Sequence, residues 1–199
     1  MSRHLKQSSR RRFLVGATGV MGAAGVVGVA TPFVCSLAPN EKAKQVRAPI
    51  KVDVSKIEVG AMVTVAWNGL PIWILKRDKQ SLLSLKKHEA LLADPDSIDS
   101  IQPKNTKNTF RSVRSDIAVY IGLCTHLGCT PKYRPELSPI DLGENWHGGF
   151  FCPCHGSKFD LAGRVYKNVP APTNLEIPPY RFIDNDLLEI GYREESEGV

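Results

Sequence analysis

Two short stretches, Cys124-Thr125-His126-Leu127-Gly128-Cys129 and Cys152-Pro153-Cys154-His155-Gly156-Ser157, each combine cysteine with histidine. They contain four of the five cysteines and two of the five histidines, and only residues 130–151 separate them. A [2Fe–2S] cluster with mixed ligation needs two thiolates on one iron and two imidazoles on the other. The two stretches supply this set of donors and leave two further cysteines to be explained.

A tetrahedral zinc site is the alternative, because zinc also binds two cysteines and two histidines from paired loops. Such a site would leave two cysteines without a role. Zinc fingers also keep their cysteine pair and their histidine pair apart in the sequence, whereas each stretch here mixes the two residue types. The pattern therefore favours an iron–sulfur cluster over zinc.

The patterns C-T-H-x-G-C and C-P-C-H-G-S resemble the two cluster-binding boxes of the Rieske iron–sulfur proteins. The resemblance implies four ligands for one [2Fe–2S] cluster: Cys124, His126, Cys152 and His155. It also implies a disulfide between Cys129 and Cys154. On the loop-entropy model such a bridge would stabilise the fold by roughly 3.5 kcal/mol and would clamp the two stretches together.

Further roles around the cluster follow from the same resemblance. Ser157 is expected to donate a hydrogen bond to a cluster sulfur, Leu127 to cover the cluster as an apolar lid, and Pro170 to belong to a proline loop at 169–172. High-potential relatives commonly carry a tyrosine at the position of Phe159, so we expect a lower reduction potential here.

Function is also implied by the resemblance, which over nearly the whole chain is to the bacterial Rieske subunits of ubiquinol–cytochrome c reductase. Members of this family take an electron from ubiquinol together with cytochrome b and pass it to a c-type cytochrome, which contributes to the proton-motive force. They work in a membrane complex that is a dimer of three-subunit units. By this resemblance His155, with His126 as the second exposed ligand, contacts quinol and couples proton transfer to electron transfer.

Two other functions stay open at this point. One is the Rieske subunit of a periplasmic molybdenum oxidase of the arsenite oxidase type, and the other is a zinc-stabilised, membrane-tethered interaction module. The long apolar anchor and the proline loop argue against the first, and iron content would exclude the second. No C-x-x-C-H haem-attachment motif occurs, so an acceptor haem must lie on another chain.

The N-terminus predicts export and anchoring. Ser9-Arg10-Arg11-Arg12-Phe13-Leu14 resembles the twin-arginine signal, which exports folded proteins and so suits a protein that acquires its cofactor in the cytoplasm. The apolar segment 13–38 would span about 39 Å as a helix, enough to cross a bilayer with some tilt. A cleaved signal has a shorter apolar region and an A-x-A-like site, so we expect an uncleaved anchor.

Charge predicts how the chain is oriented. The basic tail 1–12 holds five of the 26 basic residues and none of the 20 acidic ones, so the rest is almost neutral. The positive-inside rule then places the N-terminus in the cytoplasm and the remaining domain in the periplasm of a bacterial inner membrane, where a disulfide persists. The basic composition therefore reflects orientation, and nucleic acid is not an expected partner.

After a flexible hinge linker at 39–48, residues 49–199 predict one mainly β domain. We expect an antiparallel β-sandwich with the cluster-binding part, about 122–173, inserted at one end. The strand pattern, with an Asn68-Gly69 hairpin turn, predicts six strands: Ile50–Val54, Met62–Trp67, Pro71–Lys76, Ile117–Leu123, Arg181–Ile183 and Leu187–Tyr192. One helix is expected over 83–93, with His88 as a surface residue.

Overall fold

The computed structural model describes residues 9–38 and 48–192. Most of the predicted hinge linker and most of the basic tail lie outside the described residues. The chain forms two compact units, residues 1–45 and 46–199.

The first unit is one helix, α1, from Ser9 to Ser36. Its 28 residues include no acid and, after Arg12, no base, and none of its side chains is buried. α1 is long and apolar enough to cross a membrane, although a signal sequence near an N-terminus passes the same test. The prediction of one N-terminal apolar helix is confirmed.

The second unit is built from three antiparallel sheets of three strands each. The strands are β1 Ile50–Asp53, β2 Met62–Trp67, β3 Leu70–Lys76, β4 Ile117–Ile121, β5 Lys132–Leu137, β6 His147–Phe151, β7 Lys158–Asp160, β8 Tyr180–Phe182 and β9 Leu187–Ile190. Sheet A has the order β1–β9–β8, sheet B the order β2–β3–β4, and sheet C the order β5–β6–β7. The prediction of a mainly β, antiparallel domain is confirmed.

The strands of sheets A and B lie close to where the sequence predicts them, because their residues either alternate between apolar and polar or are apolar throughout. Asn68 and Gly69 have φ of 52° and 75°, the left-handed backbone of a type I′ turn, and they join β2 to β3 as predicted. All six predicted strands form, each within about two residues of its predicted bounds.

Sheet C was missed, although it leads into the second cysteine–histidine stretch. Pro135 in β5 and the Gly148-Gly149 pair in β6 weaken any strand pattern in the sequence. Gly149 nevertheless has a structural reason to be glycine: a Cβ there would collide with the carbonyl oxygen of Phe159 on β7. The close approach of β6 and β7 therefore explains why this position is glycine, although glycine has a low intrinsic preference for strands.

The helix predicted over 83–93 was wrong in its position. Helix α2 runs from Lys79 to Leu85 and is capped at its N-terminus by Asp78, whose carboxylate accepts the Ser81 N–H at 2.6 Å. A separate 3-10 helix follows at Glu89–Leu91. His88 precedes this 3-10 helix, is half-buried, and stacks on His147 of β6, so it is not a surface helix residue.

Three buried arginines hold the turn at 160–163, at the end of β7. Arg77 donates to one carbonyl of this turn at 3.3 Å, and Arg111 donates to two others at 3.1 Å each. Arg164 bonds the carboxylate of Asp160 at 2.8 Å. Burial lowers the pKa of Arg111 to about 10, so its guanidinium stays charged at neutral pH. The turn that ends β7 is thus held by charged donors rather than by apolar packing alone.

Candidate metal centre

Loop 1, residues 124–129, follows β4 and folds around its first cysteine. The Cys124 N–H donates to the Cys129 carbonyl at 2.7 Å, and the Cys124 carbonyl accepts the Gly128 N–H at 2.9 Å. Gly128 has φ of 77°, a left-handed conformation that glycine adopts without cost. The backbone of the loop is therefore a closed turn.

Loop 2, residues 152–157, follows β6 and repeats this backbone. The Cys152 N–H donates to the Ser157 carbonyl at 2.8 Å, and the Cys152 carbonyl accepts the Gly156 N–H at 2.9 Å. Gly156 has φ of 78°. Each loop thus begins with a cysteine, turns at its fifth residue and closes at its sixth.

A disulfide joins Cys129 of loop 1 to Cys154 of loop 2, with their Cα atoms 6.7 Å apart. The sulfur of Cys152 lies within 4.8 Å of both disulfide sulfurs. Because a disulfide sulfur offers no thiolate, Cys152 is the only member of this trio that can bind metal as an anion. The bridge therefore positions the ligand loops and does not enter the donor set.

Two free thiols and two imidazoles remain between the loops. Cys124 and Cys152 are 3% and 2% exposed. The rings of His126 and His155 lie with centroids 4.8 Å apart at an interplanar angle of 89°; His126 is half-buried and His155 is exposed. Sulfur donors on the inside and nitrogen donors toward solvent fit the two differently ligated irons of a mixed [2Fe–2S] cluster.

Burial raises the pKa of the Cys124 thiol, and the neighbouring Cys152 thiol raises it further. The backbone N–H of His126 and the hydroxyl of Ser157 act in the opposite direction. Thiolate at this position therefore needs a cation, and a bound metal supplies one.

Two apolar residues in or near the cluster loops are exposed. Leu127, between the loop 1 histidine and the loop 1 glycine, is 72% exposed. Pro170 of the proline loop is exposed as well.

Two hydrogen bonds that the sequence did not predict tie the loops to the residues around the proline loop. The Thr125 hydroxyl of loop 1 donates to the Thr173 carbonyl at 2.7 Å. The Ser157 hydroxyl of loop 2 accepts the Ala171 N–H at 3.1 Å. Thr125 sits beside a predicted ligand, but no sequence signal identified its partner 48 residues away.

Asn174 extends this connection into the domain. It is fully buried, its side-chain oxygen accepts the Val165 N–H at 2.7 Å, and its amide nitrogen donates to the Asp94 carbonyl at 2.9 Å and to Ser97 at 3.1 Å. The residues that receive both loops are thus fixed to two other segments of the domain.

Phe159 is fully buried and pairs with Phe150 across β6 and β7. It lies two residues after Ser157, so the ring packs behind loop 2 in the main core. Phe159, which lacks the hydroxyl that a tyrosine would have, therefore lies in the main core next to loop 2.

Comparison with known proteins identifies the family. A family model described as "Rieske [2Fe-2S] domain" matches residues 50–180, and one described as "Ubiquitinol-cytochrome C reductase Fe-S subunit TAT signal" matches residues 1–40. The first match confirms one [2Fe–2S] cluster as the cofactor, in place of zinc. The second confirms the twin-arginine signal.

Two curated relatives cover nearly the whole chain. The ubiquinol–cytochrome c reductase iron–sulfur subunit of Allochromatium vinosum is 50% identical over 182 residues, which are 92% of this chain and 88% of the relative. That of Blastochloris viridis is 41% identical and covers 93% of this chain and 94% of the relative. A solved structure titled "Hyperthermophilic respiratory Complex III" aligns at 26% identity with a TM-score of 0.48, covering 86% of this chain and 96% of that one. The chain belongs to the family of Rieske iron–sulfur subunits of ubiquinol–cytochrome c reductase.

Proposed function

We propose that this subunit oxidises ubiquinol together with cytochrome b and passes the electron to a c-type cytochrome. The observation that carries the proposal is the exposed His155 imidazole, whose ring centroid lies 4.8 Å from that of His126. Leu127, next to His126 in the chain, is exposed as well. The names of the relatives support the same reaction. In this reading the subunit is itself catalytic, because one of its own side chains contacts the substrate.

The proposed ligands are Cys124, Cys152, His126 and His155. When bound, a [2Fe–2S] cluster supplies a one-electron acceptor at this site. The two buried cysteines shield their side of the site from water. An imidazole that binds metal through one ring nitrogen keeps the other for hydrogen bonding. His155, and His126 beside it, can thus accept a hydrogen bond and a proton from a quinol hydroxyl.

Three other residues are proposed to serve the cofactor and its docking. Leu127 and Pro170 form the apolar rim that excludes water when loops 1 and 2 enter the quinol site of cytochrome b. Ser157 is proposed to donate its hydroxyl proton to a cluster sulfur while its oxygen accepts the Ala171 N–H. A hydroxyl can do both at once, because it has one donor and two acceptor lone pairs.

The proposed location is the bacterial inner membrane. The basic residues of the tail 1–12 support a cytoplasmic N-terminus, an uncleaved single-pass anchor and a cluster domain in the periplasm. Cytochrome b and a c-type cytochrome are the proposed partners, in a dimer of three-subunit units.

Potentiometric titration of the membrane-bound holoprotein, followed by the EPR signal of the reduced cluster at pH 6 to 9, tests the proposal. We expect a potential within about −150 to +300 mV that falls as the pH rises, because imidazole ligands take up protons on reduction. A low potential that does not change with pH, or a protein without iron, would exclude quinol oxidation at this site.

Docking is tested separately with two exposed leucines. Leu127→Asp should lower quinol–cytochrome c reductase turnover in membranes without removing the cluster. The control is Leu137→Asp on β5, which is 57% exposed and belongs to neither cluster loop. Equal turnover in both variants would remove Leu127 from the docking surface.

A further inference from the structure

A second pair of histidines lies outside the cluster loops. His88 precedes the 3-10 helix Glu89–Leu91, and His147 is the first residue of β6. Their rings lie face to face, with centroids 3.2 Å apart and an interplanar angle of 4°. Both residues are half-buried, and neither ring hydrogen-bonds to a residue within 9–38 or 48–192. The contact joins the connection between β3 and β4 to sheet C.

The charged groups around His88 do not neutralise an imidazolium. Lys87 and Arg164 are the neighbouring cations. Asp160 is the neighbouring anion, but its carboxylate is bound by Arg164 at 2.8 Å. Glu89 is paired with the same arginine at 3.7 Å. Both of these carboxylates are therefore shared with the Arg164 guanidinium.

The cleft beside the pair has a volume of about 380 Å³ and is lined by Asp78, Lys87 and both histidines among other residues. Asp78 caps helix α2 through the Ser81 N–H at 2.6 Å. Around His147, the opposing strand residue is Leu137 and the Tyr166 hydroxyl approaches its backbone, so neither supplies a charge. Burial lowers the pKa of both histidines, and the positive charge of His147 lowers that of His88 further.

We propose that the stacked His88 and His147 form an acid-sensitive contact, which holds the β3–β4 connection against sheet C when at most one ring is charged and opens when both are protonated. Two imidazolium rings in face-to-face contact repel strongly, because their charges lie close together and are partly shielded from water, which would otherwise weaken the repulsion. The neutral pair stabilises the fold fully above the unfolded histidine pKa near 6.5. This contribution is lost as the pH falls through the lower pKa values of the folded state.

The contact has a direct structural route to the cluster. β6 runs from His147 to Phe151, and Cys152 follows at once. When the two rings separate, the start of β6 loses this contact. The other end of β6 leads directly into loop 2 and positions it. Faster loss of the cluster in acid is the expected consequence, and this step rests on the proposed ligand role of Cys152.

The test compares the full-length holoprotein with His88→Gln, His147→Gln and the double variant, with EDTA in every buffer to exclude metal bridging. Thermal midpoints from near-UV circular dichroism are recorded from pH 4.5 to 8. The wild-type midpoint should fall more steeply below pH 6.5 than that of either single variant, and the double variant should fall least, because each single variant keeps one half-buried histidine. The other described histidines, His126 and His155, are the same in every sample, so differences between the samples come from His88 and His147.

His88→Phe provides a second test if a glutamine variant folds poorly, since it keeps a flat ring on His147 and removes one charge. Its thermal midpoint should stay higher in acid than that of the wild type, and it should lose cluster absorbance at pH 5 more slowly than the wild type. Identical pH profiles for wild type and variants would overturn the proposal. Different midpoints with equal rates of cluster loss would keep the contact but exclude its link to Cys152.

Discussion

Loops 1 and 2 have the same backbone but are fixed to the domain by different side chains. Each cysteine, Cys124 and Cys152, donates to the carbonyl five residues on, and a left-handed glycine closes each turn. At the sixth position, however, loop 1 has Cys129 in the disulfide, whereas loop 2 has Ser157, which accepts the Ala171 N–H.

This difference separates two requirements of a ligand-binding pair of loops. The shape of each loop is set locally by its glycine and by two backbone hydrogen bonds. The position of one loop relative to the other is set by long-range contacts, namely the disulfide and the hydrogen bonds to residues 171–173. Substitutions that strain the backbone should therefore destabilise both loops equally, whereas substitutions that remove a long-range contact should affect the two loops differently.

The disulfide should give the largest effect. Cys154→Ser leaves both backbone turns intact and removes the covalent link between the loops, so the free energy of unfolding should fall by about 2–5 kcal/mol. Cluster content per protein, measured from iron and visible absorbance, should fall with it. The control is Cys35→Ser, which changes an exposed free cysteine of α1. Full cluster content and unchanged stability in Cys154→Ser would show that the hydrogen bonds alone hold the loops together.

The two glycines test whether the loops are equivalent. Gly128→Ala and Gly156→Ala each place a side chain at a φ near +77°, and neither new Cβ would meet an atom within 4 Å. The cost is then only that of the left-handed backbone, about 1–2 kcal/mol, and it should be the same in both loops by chemical denaturation.

Gly60→Ala is the matched control for the two glycines. Gly60 also has a positive φ, of 83°, and open space around it, but it lies between β1 and β2. It should lose similar stability without any change in the EPR spectrum of the cluster. A twofold or larger difference between the two loop variants would refute the equivalence of their backbones.

The sequence contained what each loop needs locally, and this explains what it could predict. The ligand types, the turning glycines and the alternating strands of sheets A and B are all encoded within a few residues. The hairpin at Asn68-Gly69 formed as predicted because both residues adopt positive φ readily.

Long-range contacts could not be predicted in the same way. Thr125 and Thr173 are 48 residues apart, and His88 and His147 are separated by the whole of β4 and β5. Sheet C was missed because Gly149 serves close strand packing, which propensity does not count. The misplaced helix over 83–93 reflects the same limit, since tertiary packing decided where α2 ends.

Removing the side-chain hydroxyls of Ser157 and Thr125 should have a smaller effect than the changes above, and the effect should differ between the two residues. Ser157→Ala removes the proposed hydrogen bond to a cluster sulfur, which favours the reduced state, so the reduction potential should fall. One hydrogen bond of about 1 kcal/mol corresponds to about 40 mV for a one-electron couple. Thr125→Val breaks only the bond to the Thr173 carbonyl and should shift the potential less.

Thr106→Val is the control for the threonine variant, because the buried Thr106 hydroxyl donates to the Pro103 carbonyl at 2.7 Å in another part of the domain. It should reduce stability but leave the potential unchanged. Equal shifts from Ser157→Ala and Thr125→Val would mean that the two hydroxyls act alike, and that loop 2 has no separate electronic role.

The smallest effect is expected at Phe159, which follows loop 2 by two residues where loop 1 is followed by Pro131. Phe159→Tyr adds one hydroxyl in a fully buried place. If that hydroxyl donates to a ligand sulfur, it stabilises the reduced cluster and raises the potential, by about 20–40 mV for a bond of about 0.5–1 kcal/mol. Phe182→Tyr on β8 is the matched control and should not shift the potential. A loss of about 1–3 kcal/mol in stability without a change in potential would instead mean that the new hydroxyl is buried without a partner, and that the ring points away from the ligand sulfurs.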